Sequence, residues 1–250
     1  MARILAIHAH PDDVEILAGG TLALLSARGH QITITTFTAG DCGSQDVGPE
    51  EIAAIRREEA ANAAAWIGAE YRCLGFQDLA IFHTDRSRRI AVEALRRARP
   101  QIVLTASPVD YMCDHEAVSA LVRDACFGAP IPNYKSPSPP LEAIPHLYFM
   151  DPLGGRDRDD KLVRPDFIVD VAAEFDRKRS MLAEHASQRE WLRAHHGVDE
   201  YLLEMERWTR DRGALAGVTH GEGFRQYRGH AYPATPLLQE LLSGAAIYLR

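Results

Sequence analysis

The chain opens on an apolar run, Arg3–Ala9, that stops at His10-Pro11-Asp12-Asp13. An unbroken apolar run of this kind predicts a strand buried on both faces. Val14–Arg28 has helical spacing, with Gly19-Gly20 near its start and Gly29 at its end. Gln31–Thr38 is β-branched and predicts a second strand. The alternation then repeats: a loop over Ala39–Pro49, a helix over Glu50–Ile67, and a short strand over Glu70–Leu74. A helix over Ser87–Ala98 stops at Pro100, a strand runs over Gln101–Thr105, and Ser107–Cys113 loops out before a helix over His115–Cys126. Six prolines make Pro130–Pro145 an extended connection. Strands are expected at His146–Met150 and Pro165–Val171, a long helix over Ala172–Ala194, and mostly helical structure over His195–Gly217. Thr219–Pro236 reads as irregular, and Leu237–Leu242 as a short closing helix.

Alternating strands and helices imply an α/β chain with a doubly wound, mostly parallel sheet and helices on both faces. Right-handed crossovers put the loops after the strands on one edge. His10–Asp13, Ala39–Ser44 and Ser107–His115 should therefore meet there. We expect one domain over residues 1–250, with 130–165 and 195–250 as irregular or helical additions at the pocket rim.

Composition narrows the function classes. The 250 residues are 46% hydrophobic and 25% charged, as expected of a folded globular domain. A net charge of −7 argues against nucleic acid as a partner. The basic clusters Arg86–Arg89 and Arg96–Arg99 read as solvated helix faces. No segment is apolar enough to insert into a membrane, and the N-terminal run is too short for a secretory signal. Four cysteines without CxxC spacing fit a reducing cytoplasm.

The chemistry concentrates on His10, Asp13 and His115. Two imidazoles and a carboxylate suit Zn²⁺, with Fe²⁺ or another divalent metal as the alternative, and leave a coordination position open. Asp12, between two of these ligands, reaches the same cavity and is the candidate general base. A helix cap is the plainer reading of His-Pro-Asp-Asp. His8 points the same way as His10 but reads as a core histidine. Asp114 either orients a ligand or caps the next helix, and Asp41 either lines the pocket or stabilises a turn. Cys113 reads as a buried structural thiol, Cys42 as a loop thiol with no clear activation, and His195-His196 as an exposed helix end. His220, His230 and the segment His185–Gln188 are candidate rim elements.

The run Ile4–Glu15 with Gly19-Gly20-Thr21 resembles the signature of the LmbE-like (PIG-L) family of zinc-dependent N-acetylglucosaminyl deacetylases. Thr38–Asp41, Arg56–Ala61, Leu74–Asp78, Asp166–Asp170, Lys178 and His185–Gln188 resemble later family segments, so the likeness spans roughly residues 3–190. The resemblance implies a Rossmann-like fold and hydrolysis of a small N-acyl, amino-sugar-like substrate. His10, Asp13 and His115 would be the metal ligands, Asp12 the base, and Arg56 with Glu59 would shape the substrate side. One departure stands out. Met112 occupies the place of a histidine that many members use on the oxyanion or leaving group, and a thioether cannot donate. Either the metal alone then stabilises the oxyanion, or Tyr111, His220 or His230 substitutes, or deacetylase activity is lost. The alternatives are an amidase for a larger conjugate, or a metal- or sugar-binding protein that has lost catalysis. A nucleotide-dependent Rossmann enzyme is disfavoured because Gly19-Gly20 lacks the glycine spacing. A serine hydrolase lacks its Gly-x-Ser-x-Gly elbow. A homo-oligomer remains open.

Overall fold

The computed structural model describes residues 1–189 and 200–249. His195-His196 lie outside the described residues. Five strands form the parallel part of the sheet: β1 (Arg3–His8), β2 (Gln31–Thr38), β3 (Glu70–Phe76), β4 (Ile102–Thr105) and β5 (His146–Met150). Their spatial order is β3-β2-β1-β4-β5, so the direction of winding reverses between β1 and β4. That reversal opens a crevice at the carboxyl ends of the two strands. Helices α1 (Asp13–Ala27), α2 (Pro49–Ala65), α3 (Asp85–Ala98) and α4 (Cys113–Gly128) connect them.

One core cluster packs Ile4, Ala6, Ile34 and Leu104 against Val14, Leu22 and Ala63. The other packs Leu5, Ile7 and Val103 against Leu95, Val118 and Leu121. Alternate residues of β1 thus feed opposite faces, which is why Arg3–Ala9 reads as unbroken apolar sequence.

The rest of the sheet departs from the expected pattern. β7 (Gly221–Gln226) pairs antiparallel with β5 and with β6 (Phe167–Asp170), and β8 (Ala246–Tyr248) closes the edge against β6. Thr219–Pro236 is therefore not irregular throughout. The predicted helix over Ala172–Ala194 is also broken. A 3₁₀ turn at Ala172–Glu174 leads into α5 (Phe175–Ala183), and the chain turns at Glu184 before helical residues 186–189. Two further helices follow, α6 (Glu200–Ala214) and α7 (Leu237–Leu241).

A buried ion pair ties these additions to the first helix. Lys178 Nζ lies 2.6 Å from Glu222 Oε1 and donates to the Ile16 carbonyl at 2.7 Å. Glu222 accepts the backbone N–H groups of Gly20 and Thr21 at 2.9 and 2.8 Å. α1, which starts at the His-Pro-Asp-Asp turn, is thus braced from β7 and α5. Arg96 likewise leaves the solvated face assigned to it. It is buried and donates to the Ala129 and Ile131 carbonyls at 2.9 and 2.8 Å, holding the proline-rich connection. Among the described residues no helix is long and apolar enough to cross a membrane.

Candidate metal centre and its cavity

The loops after all five parallel strands converge on a cavity of about 340 Å³. Its lining includes His10, Asp12 and Asp13 from the β1 turn, Cys42 after β2, Asp78 after β3, His115 on α4 and Leu153 after β5. Arg56 enters from α2 and Tyr201 from α6.

The β1 turn is folded around Asp13. Its Oδ2 accepts the backbone N–H of His10 at 2.8 Å and meets His8 Nδ1 at 2.6 Å. Its Oδ1 lies 3.4 Å from His115 Nε2. Burial alone would raise Asp13, but the His115 and His8 imidazoles outweigh it and hold the carboxyl well below its ordinary value.

Each cavity imidazole has a carboxylate behind it. His115 Nδ1 meets Asp110 Oδ1 at 2.9 Å, which directs Nε2 towards Asp13. His10 Nε2 meets Asp114 Oδ2 at 3.3 Å, and Nδ1 lies 3.3 Å from Asp13 Oδ2. Burial lowers the affinity of both rings for a proton. The Asp114 and Asp13 carboxylates reverse this at His10, lifting its pKa to about 9. At His115, Asp13 and Asp110 lift it to about 10. A group of buried carboxylates that holds positive charge this firmly on two rings is a place where a cation is stable.

Among the described residues, His8, Asp13 and His115 offer ligand atoms that all lie within 4.8 Å of one another. His8, read from sequence as a core histidine, is thus at the centre, with its Nε2 buried and without a hydrogen-bond partner. It lies behind the cavity wall, whereas His10 lines the cavity.

Asp12 sits in an uncommon backbone conformation, φ 94°, at the start of α1. Tyr201 donates its hydroxyl to Asp12 Oδ2 at 2.5 Å, and Arg56 Nη2 donates to the same oxygen at 3.2 Å and to the Pro11 carbonyl at 2.8 Å. These bonds hold the turn in place. Burial raises the Asp12 pKa further than Arg56 lowers it. Gly40, at φ 75°, is required here because a Cβ on it would lie 2.1 Å from Arg56 Nη1.

Residues 5–126 match the family model "PIG-L: GlcNAc-PI de-N-acetylase". These residues are a PIG-L family domain. A diacetylchitobiose deacetylase of Thermococcus kodakarensis is 27% identical over 198 residues, 74% of this chain and 70% of its own length. A 4-oxalmesaconate hydratase of Pseudomonas putida is also 27% identical, over 74% of this chain and 73% of its own. In fold, a conserved protein of Thermus thermophilus matches with TM-score 0.76 and 27% identity, over 94% of this chain and 98% of its own.

The other predicted residues divide. Tyr111 and Met112 line the cavity, and the Tyr111 ring meets His115 edge-on with centroids 5.6 Å apart. Asp41 turns away to accept the Asp78 N–H at 2.7 Å, so it pins a turn. Asp114 supports His10 and accepts the Leu79 N–H at 2.7 Å; it is not among the lining residues. His220 and His230 are not brought to the cavity: His220 stacks on Phe175, and His230 is exposed. Arg56 and Glu59 do not pair. Glu59 instead accepts the N–H and hydroxyl of Ser187, both at 2.7 Å, and Gln188 donates to the Gly43 carbonyl at 3.1 Å. Cys113 is exposed rather than buried. Burial and the Asp78 and Asp41 carboxylates raise the Cys42 thiol, so it is not an activated nucleophile. Tyr201 escaped the sequence reading altogether.

Proposed function

We propose that the protein is a metal-dependent hydrolase that removes an acyl group, acetyl in the first instance, from the amide nitrogen of an amino-sugar-type substrate. The observation that carries this reading is one cavity in which His10, Asp13 and His115 adjoin a separately held carboxylate, Asp12. The chain acts as one domain whose later segments supply the rim, through Leu153 and Tyr201.

The donor set fits a divalent ion. Asp110 holds the Nδ1 edge of His115 and Asp114 the Nε2 edge of His10, so His115 Nε2 and His10 Nδ1 carry the free lone pairs once deprotonated. Together with the Asp13 carboxylate they would hold zinc or Fe²⁺. His8 orients Asp13 from behind, because only His10 of the two opens on the cavity. When bound, such an ion makes water more acidic and polarises a carbonyl.

Asp12 takes a proton from the attacking water and returns it to the nitrogen as the C–N bond breaks, giving a carboxylic acid and an amine. Tyr201 and Arg56 both occupy Oδ2, which reserves Oδ1 for that proton. Tyr111 keeps its proton, since burial and the Asp13 charge raise its pKa, so it can donate where Met112 cannot.

A second reading is hydration of a carboxylate substrate, the class named for the Pseudomonas putida relative. The cavity argues against it. Its lining carries Asp12, Asp13 and Asp78, and its guanidinium, Arg56, is engaged with Asp12 and Pro11. A neutral amide meets no repulsion there.

The test is release of amine and acetate in equal amounts from N,N′-diacetylchitobiose and other N-acetylglucosamine conjugates. Zinc-loaded protein should release both, and chelation and Asp12→Asn should each abolish the release. No amine from any such amide, with the ion bound, overturns the reading.

A further inference from the structure

A second cavity, of about 580 Å³, lies against the C-terminal half of α6. Trp208 lines it from α6, Leu215 from the turn that follows α6, and Leu162 from the loop after β5. Leu162 is 70% exposed and Leu215 50% exposed, so the apolar rim is uncovered. Among the described residues, three guanidiniums, Arg156, Arg164 and Arg212, line it with one carboxylate, Asp211. The acids that pair with two of them, Asp160 with Arg156 and Asp151 with Arg212, are not in the lining. Among the described residues guanidiniums therefore outnumber carboxylates in this lining, whereas carboxylates outnumber guanidiniums in the metal-centre cavity.

Its wall is built. Arg156 and Leu162 form a β-bridge that closes a turn. Within that turn Asp157 Oδ1 accepts the N–H groups of Asp159 and Lys161, both at 2.9 Å. Arg212 is fixed by Asp151 at 2.8 Å and donates to the Val163 carbonyl at 3.2 Å. The two cavities adjoin along the chain: Leu153 lines the first and Gly154 the second. On α6, Tyr201 and Trp208 are separated by about 10 Å of helix.

We propose that this cavity is a ligand site for an amphipathic organic anion, a carboxylate or similar monoanion on an aromatic or medium-length alkyl body. Its volume falls within the roughly 300–1,000 Å³ of small-molecule sites. Exposed leucines beside an indole mark a surface that a ligand covers. Guanidiniums supply the geometry that receives a carboxylate. The assignment does not depend on the reaction proposed above.

The test is isothermal titration calorimetry of the full chain with octanoate, octylamine and octanol. The expected result is saturable one-site binding of octanoate, at least tenfold weaker binding of the other two, and quenching of tryptophan fluorescence that Trp208→Phe removes. Leu162→Asp and Arg156→Glu, both exposed, should each weaken octanoate at least tenfold and leave the thermal midpoint unchanged. The titration is run on chelator-treated and on zinc-loaded protein, because a carboxylate can also sit on a metal. Binding confined to the loaded protein overturns the proposal, as does equal binding of octanol or octanoate binding that survives Leu162→Asp.

Discussion

Tyr201 donates its phenolic proton to Asp12 Oδ2 at 2.5 Å, although the two residues stand 189 apart in the chain. The contact carries α6 back to the β1 turn, so the last long helix finishes a site that the first strand begins. Arg56 reaches the same oxygen. One carboxylate oxygen is thus held by two donors, and the orientation of the other follows.

Removing the hydroxyl should therefore impair turnover rather than binding. A hydrogen bond to a charged group contributes about 1.5–3 kcal/mol. Tyr201→Phe should lower kcat by about 10–100-fold, with KM and metal content near wild type. Steady-state kinetics with elemental analysis of the same sample checks this, and an unchanged kcat would remove Tyr201 from the account.

The β1 turn was legible in the sequence because all its parts are local. Four consecutive residues, His10 to Asp13, end an apolar run that both core clusters explain. His146–Met150 was legible for the same reason. β7 was not, because its sequence opens Gly-Glu-Gly. Gly223 stands there since a Cβ would lie 2.1 Å from Asp151 Oδ2, so close packing replaced the β-branched signal that marks a strand. Tyr201 and the supporting role of His8 were hidden because each depends on a partner that only the fold supplies. Glycine-rich segments read as pocket rim suggested His220 and His230, and the topology leaves both away from the cavity.

Support behind the ligands should be measurable. Asp110 Oδ1 meets His115 Nδ1 at 2.9 Å and accepts the Met112 N–H at 3.2 Å. Asp110→Asn should weaken zinc affinity by about 10–100-fold, read by competition with a chromogenic chelator. Wild-type affinity in that variant would mean that His115 needs no orienting carboxylate.

The Lys178–Glu222 pair predicts a large stability effect. Both side chains are buried, and Glu222 also receives two backbone N–H groups of α1. Lys178→Met strands a buried carboxylate and should cost about 3–5 kcal/mol. Adding Glu222→Gln should restore part of the loss, because the amide oxygen still accepts while the charge is gone. Urea unfolding of the three proteins decides it. A loss under about 1 kcal/mol in the single variant contradicts the bracing role.

Asp151 gives stability a pH dependence. Burial raises its pKa to about 6, more than Arg212 and Arg225 lower it. The folded protein then keeps a proton that the unfolded chain loses near its ordinary carboxyl value. That contribution is complete below about pH 4 and is lost as the pH rises through about 6. Asp151→Asn does not titrate. The wild-type stability minus that of Asp151→Asn should fall by about 2–3 kcal/mol from pH 4 to pH 7. Urea unfolding across that range checks the sign, and a difference that grows with pH would refute it.

Metal content of the purified chain, measured for wild type, His10→Ala, His115→Ala and His8→Ala after dialysis against zinc, decides whether these residues hold an ion. About one ion per wild-type chain is expected, lost in His10→Ala and His115→Ala and weakened but retained in His8→Ala. A wild-type chain that takes up no ion, or one that keeps it in His10→Ala and loses it only in His8→Ala, would contradict the proposed centre.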